Sequence, residues 1–413
     1  MKWWYYRAIC IICSILSILA NSLWAQQEPL EAVDTILSHH PRLQMYDARL
    51  QSLEHKRLRL RVMPQPSANL QYFALPIETR LGTQRWSLQL SQPIPWPGLL
   101  RTRAQAVEYE SAAVLAQKRE TTLKLHTQWH QSIHQLWYLR EKERILRENI
   151  DYLHALKALA QARMLSGKRN AADVLRVDLK ISELEKDIQV TRQQVQQTRA
   201  ALIAVMGTER VDDIPIPDTI DYQLPDTVQA LQRIVRHPRI VQLQHLQQQT
   251  DVLRRENQLA GMPQWQVGLM YASITNPGDI AHPQAGRDVV VPSIRASLPL
   301  YRQQYRRRDS ELNAQYQTLQ WRVEDTYLIL QSQYQQAITR YREAAIQRQF
   351  YQDQIQQIKA IIRILQSQYS GAGSEFDELL LYQIQALNYE IQMHKALKVM
   401  ADNASIVRYL LQQ

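Results

Sequence analysis

The residues that could do chemistry are few. His126, His130 and His134 stand four residues apart, which puts three imidazoles on one face of a helix, a spacing that could bind zinc. No carboxylate motif such as HExxH accompanies them, and the surrounding stretch is rich in Gln and Arg, where histidines are ordinarily solvated. No metal site and no cofactor are therefore expected. His39-His40 reads as the entry to a helix. Neither a Gly-rich phosphate loop, nor a G-x-S-x-G elbow, nor a paired catalytic carboxylate motif is present, so no catalytic residue and no enzyme are expected.

Both cysteines, Cys10 and Cys13, fall in a segment with Lys2 and Arg7 at its start, an apolar run from Ala8 to Ala20 and Ala25 at its end. That order describes a secretory signal over residues 1–25, and the run is too short for a comfortable membrane helix. A mature chain without cysteine has no disulfide, no thiolate metal site and no cysteine lipid anchor. Losing Lys2 and Arg7 and no acid lowers the formal charge from +10 to +8. The remaining charges are scattered along helical stretches, which fits solvated faces and gives no nucleic-acid partner. Beyond residue 25 no stretch of eighteen apolar residues exists. If the chain crosses a membrane it must do so as a closed β-barrel, since only helices and closed barrels satisfy their backbone in lipid.

The elements that position everything else are marked by the breakers. The intervals from Gly98 to Ile214 and from Leu300 to the C-terminus contain no proline, and beyond Gly98 itself their only glycines are Gly167, Gly207, Gly371 and Gly373. Two long helices are expected, 98–166 and 300–370, each followed by a returning helix, 173–206 and 377–411. At 1.5 Å per residue each long helix reaches roughly 100 Å. Such lengths need partners. On the returning helix Val174, Val177, Ile181, Leu184, Ile188, Val195, Leu202 and Val205 step by threes and fours, while Leu125, Leu139, Leu146, Leu153 and Ala160 keep a seven-residue frame. Both patterns specify coiled-coil packing.

The halves repeat one plan. Ile36–Arg42 (ILSHHPR) returns as Ile234–Arg239 (IVRHPR), and Ser166-Gly167 with Asp173 and Leu175 returns as Ser370-Gly371 with Asp377 and Leu379, offset by 204. A first repeat over 26–213, a Pro-rich linker over 214–225 and a second repeat over 226–413 follow. Each repeat opens with shorter helical segments and two strand candidates. Trp86, Leu88 and Leu90 alternate with polar neighbours, as do Trp265, Val267, Leu269 and Tyr271, then Val290, Ile294, Ala296 and Leu298; Leu70, Tyr72 and Ala74 do so more weakly. One apolar and one polar face suit a membrane barrel with a wet lumen, or a soluble sheet with one buried face. Four strands cannot close a lipid-facing barrel alone.

The order of elements and their doubling resemble the TolC family of outer-membrane efflux proteins over essentially the whole chain beyond the signal. The likeness is carried by the HPR starts, Pro64-Gln65-Pro66, Ser91–Gly98 (SQPIPWPG), Leu165–Leu175 (LSGKRNAADVL) and Tyr369–Leu379 (YSGAGSEFDEL). SQPIPWPG looks most similar to the heavy-metal branch. The resemblance implies a mainly helical fold with a small β part. Three chains would join coiled-coil helices into an α-barrel and give four strands each to a twelve-stranded transmembrane barrel in the outer membrane. It implies a passive exit duct of a tripartite efflux or type I secretion system, docked to a periplasmic adaptor and an inner-membrane pump. The adaptor-contact tips map to Leu165, Ser166, Gly167, Tyr369, Ser370 and Gly371, and the gate acids to Asp173 and Asp377. The arginine that other members carry two residues after the second glycine is Gly373 here. The bland reading of each Asp is a helix cap or first-turn charge. Rival readings are a periplasmic adaptor, which should carry a single hairpin without duplication, and a coiled-coil structural protein of the envelope, which leaves the strands unexplained.

Overall fold

The computed structural model describes residues 39–165, 171–207, 216–276, 278, 283–371 and 376–412. The elements run α1 (Pro41–Arg61), β1 (Ser67–Thr79), β2 (Gly82–Ile94), α2 (Leu99–Leu165), α3 (Ala171–Met206), α4 (Ala230–Val235), α5 (Pro238–Ala260), β3 (Gln264–Thr275), β4 (Val289–Ser297), α6 (Gln303–Gly371) and α7 (Phe376–Leu411). The mainly helical fold with a small β part holds. Two compact units divide the chain, one of residues 46–117 and 238–326 and one of residues 118–237 and 327–412 with the start of α1.

The first unit carries an antiparallel sheet in the order β1-β2-β3-β4. Each hairpin belongs to one repeat, and the β2–β3 ladder joins the repeats. Leu70 faces Leu88, Leu88 faces Tyr271, and Tyr271 faces Val290, so one apolar row crosses all four strands. A second row runs Leu90, Leu269, Pro292. Side chains alternate between faces, and the intervening positions include Gln71, Ser87, Gln89, Ser91, Gln266, Ser293 and Arg295, beside Phe73, Met270, Ala272 and Val291. Leu70, Tyr72, Trp86, Leu90, Leu269, Val290 and Ile294 on the apolar face are exposed. Gly82 closes the first hairpin at φ +133, where a Cβ would stand 2.5 Å from the Thr275 carbonyl oxygen. β1 is longer than its alternation suggested, because its register shifts between Tyr72 and Ile77 and carries the strand past Pro76.

In the second unit α2, α3, α6 and α7 pack around one core that includes Leu146, Leu153, Ala160, Val177, Ile181, Leu184, Ile358, Ile362, Leu365, Leu379 and Leu387. The seven-residue frame of α2 is buried at Leu125, Leu139, Leu146, Leu153 and Ala160. The HPR starts have a shared structural use. His40 is buried ahead of Pro41, accepts from the Arg42 amide at Nδ1 (3.0 Å) and sets Nε2 3.3 Å from the Ala204 carbonyl oxygen at the end of α3. Gly207, at φ +67, ends that helix against Pro41, where a Cβ would approach the proline Cδ to 2.8 Å. His237 is buried ahead of Pro238 and packs edge-on against Tyr409 at 5.0 Å.

The described part of the linker is strapped down. Trp137 Nε1 donates to the Asp218 carbonyl (3.1 Å), and Arg140 donates to the carbonyls of Ile216 (3.1 Å) and Pro217 (2.9 Å). Arg408 pairs with Asp221 at 2.5 Å, and Arg348 lies over the Tyr222 ring. No helix among the described residues is long and apolar enough to cross a membrane.

Candidate functional site

The two acids expected at the gate, Asp173 and Asp377, lie in the first turns of the two returning helices. An acid there faces the exposed amides of the helix start, which favours it electrostatically. The two are not equivalent. Asp173 on α3 is buried, with 7% of its side chain exposed, whereas the Asp377 side chain on α7 is 69% exposed. Between them stands Arg176, one turn along α3. Its Nη1 lies 2.6 Å from Asp377 Oδ1 and 3.6 Å from Asp173 Oδ1. One guanidinium therefore serves a carboxylate from each repeat.

Sequence reasoning missed Arg176. Its signal was available, because the position 204 residues on is Leu380, so an apolar residue of one repeat is replaced by an arginine in the other. The cation between the two acids comes from the first repeat's helix.

Behind this pair the helices are tied by polar contacts at their edges. Lys157 on α2 pairs with Asp178 on α3 at 2.5 Å, and Lys359 on α6 pairs with Glu390 on α7 at 2.7 Å. Gln383 donates to Asn149 Oδ1 (2.9 Å) and Gln366 to the Tyr152 hydroxyl (3.1 Å). Burial pushes the Tyr152 hydroxyl pKa up.

Of the tip residues, Leu165 ends α2 and is exposed. Ser166 and Gly167 lie outside the described residues. Tyr369, Ser370 and Gly371 form the last turn of α6, with their side chains outside the description. The structure thus brings Asp173 and Asp377 together through Arg176.

The histidine row has a packing explanation. His134 is buried and hydrogen-bonds Asp402 on α7 at 2.9 Å, while Lys398 takes the other Asp402 oxygen at 3.0 Å. His130 stacks edge-on against Trp129, 4.7 Å between ring centres, and lies 6.2 Å from the His134 ring. Burial, then the neighbouring His134, lowers its pKa from 6.5 to about 4, so it stays neutral near pH 7. Among the described residues no three His, Cys, Asp or Glu side chains converge as a metal site.

Residues 32–208 match the family model described as outer membrane efflux protein. Solved structures share the fold over nearly the whole length. CusC is 14% identical, with 92% of this chain and 90% of that one covered, at a TM-score of 0.76. The outer membrane protein VceC of Vibrio cholerae is 16% identical over 94% and 96%, at 0.75. The MtrE outer membrane channel of Neisseria gonorrhoeae, in its open state, is 14% identical over 92% and 88%, at 0.72. No curated sequence matches the chain.

Proposed function

We propose that this chain is an outer membrane efflux protein of TolC type, the outer-membrane exit duct of a tripartite efflux or type I secretion system, in keeping with the family model that matches residues 32–208. The observation that carries the reading is the sheet. Its apolar face is uncovered, its opposite face is mainly polar, and β1 and β4 leave two open edges. An open edge is not viable in lipid. Three chains pairing β1 to β4 close twelve strands, with the apolar rows toward lipid and the polar rows around a wet lumen.

The helices continue the duct into the periplasm, where α2 and α6 each span roughly 100 Å by their rise per residue. Exposed apolar residues on α6, among them Trp321, Leu328 and Ile346, supply faces for neighbouring chains. The adaptor docks at the tips, on Leu165, Ser166, Gly167, Tyr369, Ser370 and Gly371, and an inner-membrane pump loads the duct. Transport needs no chemistry from this chain.

At the tip, Asp377 forms the ring that three-fold symmetry repeats around the axis, and Arg176 holds it. Asp173 steadies Arg176 from the buried side. Rings of acid attract cations and can hold a constriction closed.

The test uses the full mature chain extracted in detergent. A heat-labile trimer on gels and ion-conducting pores in a planar bilayer are the expected results. A soluble monomer that never inserts into lipid would overturn the reading.

A further inference from the structure

We propose that the base of the sheet carries an arginine belt that binds the anionic headgroups of membrane phospholipid, an inference that rests on the outer-membrane reading above. Four helix ends meet the sheet through connections of three to five residues, at 62–66, 95–98, 261–263 and 298–302. Hence the last turn of α1 and the first turns of α2 and α6 stand close to the rim of the apolar face. The contacts hold them there. Arg103 on α2 pairs with Glu256 on α5 at 2.9 Å, Arg254 on α5 with Asp309 on α6 at 3.3 Å, and Asn257 donates to the Tyr305 carbonyl at 2.8 Å.

The acids of this end are used up internally. Glu54 and Glu108 share Arg57, Glu110 takes Lys56, and Glu311 takes Arg308. Arg59, Arg61, Arg101, Arg302, Arg306 and Arg307 are exposed and form no ion pair among the described residues. This surplus is contributed by both repeats, and it is entirely arginine, whose planar fork matches phosphate oxygens in pairs.

The rim beside the belt has the composition of a membrane interface. Trp265 and Tyr301 are exposed and Trp96 half-exposed, following or preceding a strand end by a few residues. Aromatic rings at that level sit among headgroups, with the lipid tails on one side and water on the other. Cations one helical turn beyond them lie at the depth of the lipid phosphates. A lipid anion is thus preferred over a free one, because it alone also meets the apolar rim.

The full mature protein in detergent is offered mixed micelles of phosphatidylglycerol and phosphatidylcholine, and the retained lipids are counted by native mass spectrometry. The wild type should keep phosphatidylglycerol in preference, less so as salt rises. The variant Arg101→Gln, Arg302→Gln, Arg306→Gln should lose roughly fivefold of that preference per arginine in contact. No preference in the wild type, or full preference in the variant, overturns the belt. So does complete displacement by equimolar inorganic phosphate, which would make this a free-anion site. Pore formation in pure phosphatidylcholine bilayers reads the duct separately. A wild type that opens pores but shows no lipid preference loses the belt and keeps the duct, whereas one that opens none in any lipid loses the duct.

Discussion

The two tips share a sequence signature and present it differently. At an offset of 204 residues, Asp173 aligns with Asp377, Leu175 with Leu379 and Val177 with Leu381. Yet Asp173 and Val177 are buried where Asp377 and Leu381 are exposed, and Leu175 is exposed where Leu379 is buried. The buried stripe of α3 runs Asp173, Val177, Leu184, and that of α7 runs Phe376, Leu380, Leu387. In the repeat frame the second stripe starts one residue earlier, and one residue is about 100° of helix rotation. Duplicated motifs therefore need not occupy duplicated environments. A one-residue shift of the apolar stripe turned one acid inward and the other outward, and put Arg176 between them.

Core packing gives the largest expected contrast. Leu379→Ala should cost about 2–5 kcal/mol of folding stability, because it empties a site with 1% exposure in the four-helix core. The aligned Leu175→Ala should stay within about 0.5 kcal/mol in thermal unfolding, because its side chain is exposed. Equal costs at the two positions would mean that the rotation between the repeats is lost in the assembled protein.

Acid stability separates tip from shaft. The His130 pKa lies below its ordinary value, so between pH 6.5 and about 4 the unfolded chain binds the proton that the folded chain excludes. Stability contributed by the neutral ring is intact above pH 6.5 and falls as pH drops toward 4, by at most about 3 kcal/mol. His130→Gln should flatten the pH slope of the unfolding midpoint in that window. If His130→Gln leaves that slope unchanged, the buried imidazole is not its source.

Much of this was legible beforehand, and the failures are informative. The seven-residue frame of α2 and the alternation of β2, β3 and β4 were readable because a long helix or a half-exposed sheet must repeat its apolar residues at the element's own period. In the sequence Leu380, Ile384 and Leu387 step by fours and threes and mark the α7 register, so the facts that rotate Asp377 outward were in view. The signature obscured them, since matching motifs invites equal roles. Arg176 stood out only against Leu380 of the other repeat, and its contact did not show. Its partner lies 201 residues away on a different helix, and no periodicity within α3 reports a contact across the bundle. The end of β1 was hidden by a register shift that breaks the alternation itself.

A milder contrast lies in the acids. Asp173→Asn keeps the shape but removes a buried charge beside Arg176, and should change stability by about 1–2 kcal/mol. Asp377→Asn, on an exposed side chain, should change it by less than about 0.5 kcal/mol. Unfolding midpoints of the two single variants measure the difference. If Asp377 proves the costlier site, its exposure in one chain is being cancelled by burial against the neighbouring chains.

The smallest stability effect carries the most functional information. Arg176 and Asp377 are largely exposed, so their coupling in a double-mutant cycle should be only about 0.2–1 kcal/mol. If the pair holds the constriction, Arg176→Ala should nevertheless raise single-pore conductance in a planar bilayer. Asp377→Ala should raise conductance as well and weaken cation preference, because it removes the ring charge; Arg176→Ala should strengthen that preference, because it uncovers the ring. Combining Asp377→Ala with Asp173→Ala should add little conductance beyond the first change, since Asp173 acts through Arg176. Opposite shifts in selectivity with like shifts in conductance are what a single cation clasping an exposed acid ring predicts. Two independent acid rings would instead give additive conductance gains from the two aspartates and no effect from the arginine.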